Sequence, residues 1–325
     1  MHVGRHYSVR EVLVWTRREA LIFLFISCIP PALCGLGVDI SFLPWPPLAV
    51  LGIAVAFVTG FRSNAAYGRL WEARTIWGAI VNASRGWFVM ARDFVGGDDE
   101  RQLMLRHLAW LTALRYQLRE PRRWENTGTR DAIEYRESHY QIPERCNHLE
   151  IELRGLLGDE ELTRVLAKKN RASMLLSLQS EHLRRCAAEG RLTEYRQVEL
   201  VRMVVNLYDQ QGRCERIKNF PYPRQFATLN LIFTWVFIVM LPFGVANQLK
   251  DAGPWDWLAV PLSTLIAWVF HTMEKIGDWS ENPFEGGPND VPITTMSRAI
   301  EIDLRDLANE TNLPAAIAAT GDIQM

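Results

Sequence analysis

Cysteine is scarce in this 325-residue chain, and what there is cannot be paired into a framework. Cys28, Cys34, Cys146, Cys186 and Cys214 are odd in number and widely scattered, with no C-x-x-C and no zinc-finger spacing. A disulfide scaffold and a zinc module are therefore not expected. The chain also lacks a P-loop, a G-x-G-x-x-G, a G-x-S-x-G and an H-E-x-x-H, which removes the enzyme classes built on those motifs. It lacks net charge: 36 basic residues face 37 acidic ones, and the two signs alternate. No basic stripe is left to follow a phosphate backbone, so a nucleic-acid partner is not expected. There is no low-complexity segment, no solenoid-length repeat and no sustained period-two alternation, which leaves an all-α reading.

The most informative absence is local. A mean hydropathy of −0.06 looks soluble, but charge is very unevenly placed. Residues 20–38, 40–61, 225–249 and 257–273 contain no Asp, Glu, Lys or Arg, in runs of 17 to 25 residues. Roughly 20 apolar residues cross a bilayer as a helix. The first run is not followed by a small-residue cleavage site, so it reads as retained rather than as a signal peptide. Arg17 and Arg18 precede the first hairpin, and Arg62, Arg69 and Arg74 follow it. By the positive-inside rule both ends of that hairpin, and then both termini, are cytoplasmic. Four membrane helices in two hairpins, in a multi-pass protein of the cell membrane, is the expected topology.

In chain order, residues 1–68 form an N-terminal segment and first hairpin, with a short connection at residues 39–41. Residues 69–222 form a cytosolic helical region, 223–277 a second hairpin with an outer loop at 250–256, and 278–325 a cytosolic loop, helix and tail. Pro30 and Pro31 interrupt the first span, where neighbouring helices must satisfy the freed carbonyls. Three stretches of residues 100–219 show helical spacing, including one unbroken run over 160–186. Residues 293–310 favour a helix, and the final stretch from Leu313 offers little to hold it.

Residues 46–74 carry the most distinctive pattern. Gly52, Ala56 and Gly60 form a row of small residues at four-residue spacing, beside a bulky row of Ile53, Phe57 and Phe61. Four residues turn a helix by about 400°, so each row stays on one face. Small residues let another helix approach closely. By spacing alone the bulky row packs on protein, faces lipid or lines a dry passage. Four spans offer too few walls for a path within one subunit, so a passage requires a symmetric ring.

Arg62 and Asn64 follow the row, either at the mouth of such a passage or bonding helix ends. Arg69 and Glu72, three apart, have the spacing of an ion pair. Asn230 within the third span needs a partner, expected on another helix. His271, Glu274 and Asp278 share one face of the fourth span and read as its polar end rather than as a metal or proton site. His107, His139, His148 and His182 lie among charges and read as solvated. No catalytic residue, metal site or cofactor is expected.

Gly60-Phe61-Arg62-Ser63-Asn64-Ala65-Ala66-Tyr67, then Arg69 and Trp71-Glu72-Ala73-Arg74, resembles the segment that follows the pore helix of the bestrophin family in its bacterial form. Asn282-Pro283-Phe284 resembles the family's Asn-Pro-Phe, and residues 299–307 resemble its C-terminal helix. The order of hairpin, helical region, hairpin and helix agrees over nearly the whole chain. The resemblance implies a homopentameric ion channel in the lipid bilayer. Its hydrophobic neck would be Ile53, Phe57 and Phe61, and its second, cytosolic constriction Val198. Chloride and other anions are implied for the family as a whole, with Na+ or K+ equally open for a bacterial member. Leu70 stands where the family often has a second Trp, and reads as a packing change. Animal members carry an acidic calcium clasp after Asn-Pro-Phe; Glu285 and Asp290, split by two glycines and a proline, are poor ligands for a cation wanting roughly six or more oxygens. The competing expectation is a membrane-anchored scaffold or sensor whose cytosolic helices bind a partner or small molecule. A membrane enzyme using His271 and Glu274 stands last.

Overall fold

The computed structural model describes residues 1–40, 43–251 and 253–325. Ser41 of the first connection and Ala252 of the outer loop lie outside them. The described residues are helical, with two isolated bridges and no strand. In chain order the helices are α1 (Val9–Trp15), α2 (Arg17–Gly35), α3 (Trp45–Phe94), α4 (Gly97–Arg119), α5 (Arg130–His139), α6 (Pro143–Cys146) and α7 (Leu149–Arg154). Then follow α8 (Asp159–Leu166), α9 (Arg171–Ala188), α10 (Glu194–Asn219), α11 (Arg224–Leu249), α12 (Ala259–Trp279) and α13 (Ile293–Leu307). They form two compact units. One comprises Met1–Val3, Arg69–Phe220 and Asn282–Met325; the other comprises Gly4–Gly68 and Pro221–Glu281.

In the second unit α2, α11 and α12 pack together around Phe23, Leu48, Val55, Phe237, Ile238 and Leu241. Among the described residues α2, α3 and α11 are long and apolar enough to cross a membrane. The segment expected as a fourth crossing, α12, is a helix of 21 residues packed on α2 and α11. Glu274, Lys275 and Asp278 lie in its last turns. The helix through residues 46–74 is longer than its apolar part: α3 runs unbroken for 50 residues to Phe94.

In the other unit α4 lies against α9, α9 against α10, and α13 against α4. Trp77, Trp87, Phe88, Trp110 and the leucines of α4 and α9 fill its core, joined there by Phe284 of the Asn-Pro-Phe motif. Gly96 and Gly97, both with left-handed φ, make the sharp turn from α3 into α4. The run expected as one helix over 160–186 is two. Asn170 leaves helical geometry so that its side chain accepts from Ser173 N at 2.9 Å, which caps α9 and ends the continuity with α8. The tail is also better held than expected. Ile323 and Met325 are buried against Tyr140 and Ile142, and Thr295 N donates to the Met325 carbonyl.

Candidate functional site

One side of α3 is committed to its own unit. Leu48, Gly52, Val55, Thr59 and Arg62 are buried, each about one helical turn from the next. Gly52 sits so close to Phe237 that a Cβ there would lie 2.9 Å from the ring. Leu48 in turn fills the space that a Cβ on Gly244 would need. Thr59 Oγ1 donates to Asn230 Oδ1 at 3.0 Å, so the amide of the third span is bonded between helices, as expected. An interhelical hydrogen bond of this kind contributes about 0.6–2 kcal/mol in a membrane.

Arg62 completes that buried side. Its guanidinium is 4 % exposed and paired with Glu274, Asp278 and Glu281, the last at 3.2 Å; Glu281 also takes Arg224. Of the two readings for Arg62, bonding within the bundle is the one found. Its three counter-charges stand more than two hundred residues away in sequence, where no spacing pointed to them. Glu274 and Asp278 are thereby spent on a cation. His271 points elsewhere, edge-on to Phe23 and Trp235, so the trio on the α12 face does not converge on one site.

The opposite side of α3 is left open by the described residues. Ile53, Phe57 and Phe61 are 71 %, 65 % and 59 % exposed, and the two phenyl rings meet edge to face at 4.5 Å. Gly60 and Asn64 share this exposed arc. The row of small residues is divided: Gly52 is covered, whereas Ala56 and Gly60 are open. Asn64 stands about 20° from Ile53 around the helix and about 4.5 Å beyond Phe61 along it. A carboxamide thus follows the two phenyl rings on this arc, and the neighbouring guanidinium faces away.

Within the other unit Arg69 and Glu72 do not pair with each other. Arg69 donates to the carbonyls of Ile217 and Phe220, at 3.0 and 2.8 Å, and so closes the C-terminus of α10. Glu72 pairs with Arg216 on the same helix end. Val198, near the other end of α10, is half-exposed, as is Val205, and Tyr195 is almost fully exposed.

Two histidines expected in solvent are buried. His107 takes Ser84 Oγ at 2.9 Å on Nε2, and burial holds its imidazole down to about 3. His182 meets Asp99 at 2.8 Å; burial, then the nearby Arg106 charge, holds it down to about 4. Their sequence neighbours are charged, but their partners come from other helices. After Asn-Pro-Phe, Glu285 accepts from Asn126 N at 2.9 Å and Asp290 from Gly286 N at 2.7 Å. Arg119 lies 3.4 Å from Asp290. Burial and the adjacent Asp290 charge push the Glu285 carboxyl well above its ordinary range. The pair is tied to backbone and guanidinium rather than opened toward a cation.

The family model described as Bacterial/Fungal Bestrophin protein matches residues 10–306. A protein of Ralstonia nicotianae named voltage-dependent anion channel-forming protein RSc3414 is 29 % identical over 304 residues, covering 90 % of this chain and 88 % of its own. YneE of Escherichia coli K12, which carries the same functional name, is 27 % identical, with 96 % and 95 % covered. The crystal structure of a bacterial Bestrophin homolog from Klebsiella pneumoniae matches with a TM-score of 0.74 at 23 % identity, over 90 % of this chain and 98 % of that one. That likeness establishes the fold.

Proposed function

The chain belongs to the bacterial/fungal bestrophin family, and on that premise we propose that five copies assemble in the membrane as a channel for small monovalent ions. Ile53, Phe57 and Phe61 of each α3 form three stacked apolar rings around the axis. The observation that carries this reading is the uncovered arc of α3: large apolar side chains at each turn, small residues between them and Asn64 just beyond Phe61. Small residues admit a neighbouring helix and large ones narrow what is left. A narrow apolar tube gives an ion nothing to replace its hydration shell, so it closes by dewetting and opens on a slight widening.

Arg62 takes no direct part in ion contact, because three carboxylates hold it on the far side of the helix. Asn64 supplies the first polar ring after the neck, and Val198 forms a second, cytosolic constriction. The α12 helix makes the fourth crossing, both termini lie in the cytoplasm, and the bilayer is the cell membrane. Arg69, Glu72 and the α10 terminus are structural supports.

Neutral rings do not discriminate by charge. The names of the curated relatives favour anions, and chloride is the ion proposed here. Purified protein in planar bilayers under asymmetric NaCl tests both parts. The expected result is a current reversing toward the chloride potential from a particle with five-fold symmetry in detergent. Reversal toward the sodium potential overturns the choice of ion and leaves the neck standing. A stable particle without conductance overturns the channel and favours a membrane-anchored scaffold.

A further inference from the structure

Away from α3, in the unit that holds α4 and α9, three side chains of metal-ligand type converge. His182 and Cys186 are four apart on α9 and so project from one face. Asp99, in the first turn of α4, meets them. One ligand atom from each of Asp99, His182 and Cys186 lies within 4.8 Å of the others. We propose that this trio binds a divalent transition-metal ion of the zinc class, with a water in the fourth position.

Thiolate, imidazole and carboxylate are the donor types zinc takes, at about 2.0–2.3 Å. Tetrahedral bonds of that length set donors roughly 3.3–3.8 Å apart, so the widest pair here closes by about 1 Å. The surroundings are arranged as an outer shell. Arg191 holds Asp99 Oδ2 and leaves Oδ1 toward His182, and Glu189 holds Arg191 in turn. Outer partners of this kind orient a ligand and fix its lone pair. Arg106 is retained by Glu161 and by Gln179 at 3.1 Å; its 3.4 Å approach to His182 Nδ1 is the long contact and the one released. His182 and Cys186 are buried, whereas the Asp99 side chain is 25 % exposed, which gives the ion and its water an entrance.

Binding has a definite proton count. The imidazole stays neutral, its proton moving from Nε2 to Nδ1 as the metal takes Nε2. The Cys186 S–H bond breaks as the S–metal bond forms, so one proton leaves per ion bound. Carboxylate and thiolate then balance the two positive charges of the metal.

The test uses the full chain in detergent with any histidine tag removed, and Co2+ as the probe. One equivalent is expected to give a near-ultraviolet thiolate-to-cobalt charge-transfer band, with visible bands of tetrahedral intensity. Zn2+ is expected to displace it, with one proton released as read from buffer-dependent calorimetry. Cys28, Cys34 and Cys146 are exposed thiols, so the Cys186→Ser variant provides the assignment. It should lose the near-ultraviolet band, and Asp99→Asn, at the open side, should weaken binding at least about tenfold. A wild-type protein without the band, or a band that survives in Cys186→Ser, overturns the site. Conductance is not part of the readout, so the result is independent of the channel assignment.

Discussion

α3 and α11 both turn an uncharged face outward from the same unit, but the two faces are composed differently. Between residues 229 and 239 the exposed positions of α11 are Leu229, Leu231, Ile232, Phe233, Val236 and Val239, all bulky and apolar. Between residues 53 and 64 the exposed positions of α3 alternate Ile53, Phe57 and Phe61 with Ala54, Ala56 and Gly60, and end on Asn64. Lipid chains ask only for apolar bulk. A face proposed to receive another helix as well needs the gaps that small residues leave. The difference separates two surfaces that hydropathy alone treats as one.

The widest separation should come from truncating both. Replacing Ile53, Phe57 and Phe61 together by Ala is expected to raise single-channel current several-fold and remove gating, while Val236 and Val239 replaced by Ala leave it unchanged. Equal responses of the two variants in bilayers would erase the distinction. Next in size is Arg62→Leu, which strands three carboxylates on the buried side of α3. Removing one partner of a buried ionic group costs about 3–5 kcal/mol. Loss of the monodisperse particle on size exclusion is expected, with partial recovery when Glu274 and Asp278 are also made Gln and Asn. An undisturbed Arg62→Leu particle would show that α3 is not held by its buried side.

A smaller change is expected from Val198→Ala. It should alter conductance or ion preference without abolishing gating, because gating is assigned to α3; a gating loss equal to that of the triple variant would move the neck to α10. The last effect is absent at neutral pH and appears only on acidification. Burial holds His107 at about 3 in the folded chain, against 6.5 when unfolded, so between those values the unfolded state binds the extra proton. Stability from this group is therefore complete above 6.5 and falls as pH drops toward 3. His107→Gln should flatten the acid limb of the melting curve, and an unchanged limb would assign it elsewhere.

Much of this arrangement was readable because it depends on local period. The charge-free runs, the bulky row of α3 and the helical face of α13, where Ile300 and Leu304 are buried, follow from residues a turn apart. Asn230 was readable in kind, since a buried amide must find a partner. What escaped involves partners brought by other helices. Arg62 looks like an interfacial cation until Glu274, Asp278 and Glu281 arrive, and Gly52 looks like Ala56 until Phe237 covers it. His182 and Cys186 are visibly four apart, but Asp99 is 83 residues before His182. The break before α9 was legible in principle, since Asn170 is a residue that prefers caps to helix interiors.

The Arg62 knot also sets a schedule for making the protein. The ribosome completes Arg62 and its hairpin 212 residues before it reaches Glu274. At roughly 5–20 residues per second, that is an interval of about 10–40 s. During it a guanidinium at the end of an apolar helix has none of its three carboxylates, and for most of it the buried side of α3 has neither Phe237 nor Gly244 to close on. The first hairpin therefore waits in a provisional position, and its final seating is the work of the second. In ribosome-arrested chains a Ser63→Cys reporter, beside Gly277 in the finished fold, should react with a soluble thiol reagent until α12 has emerged and be protected afterwards. Early protection would mean that the first hairpin seats itself alone.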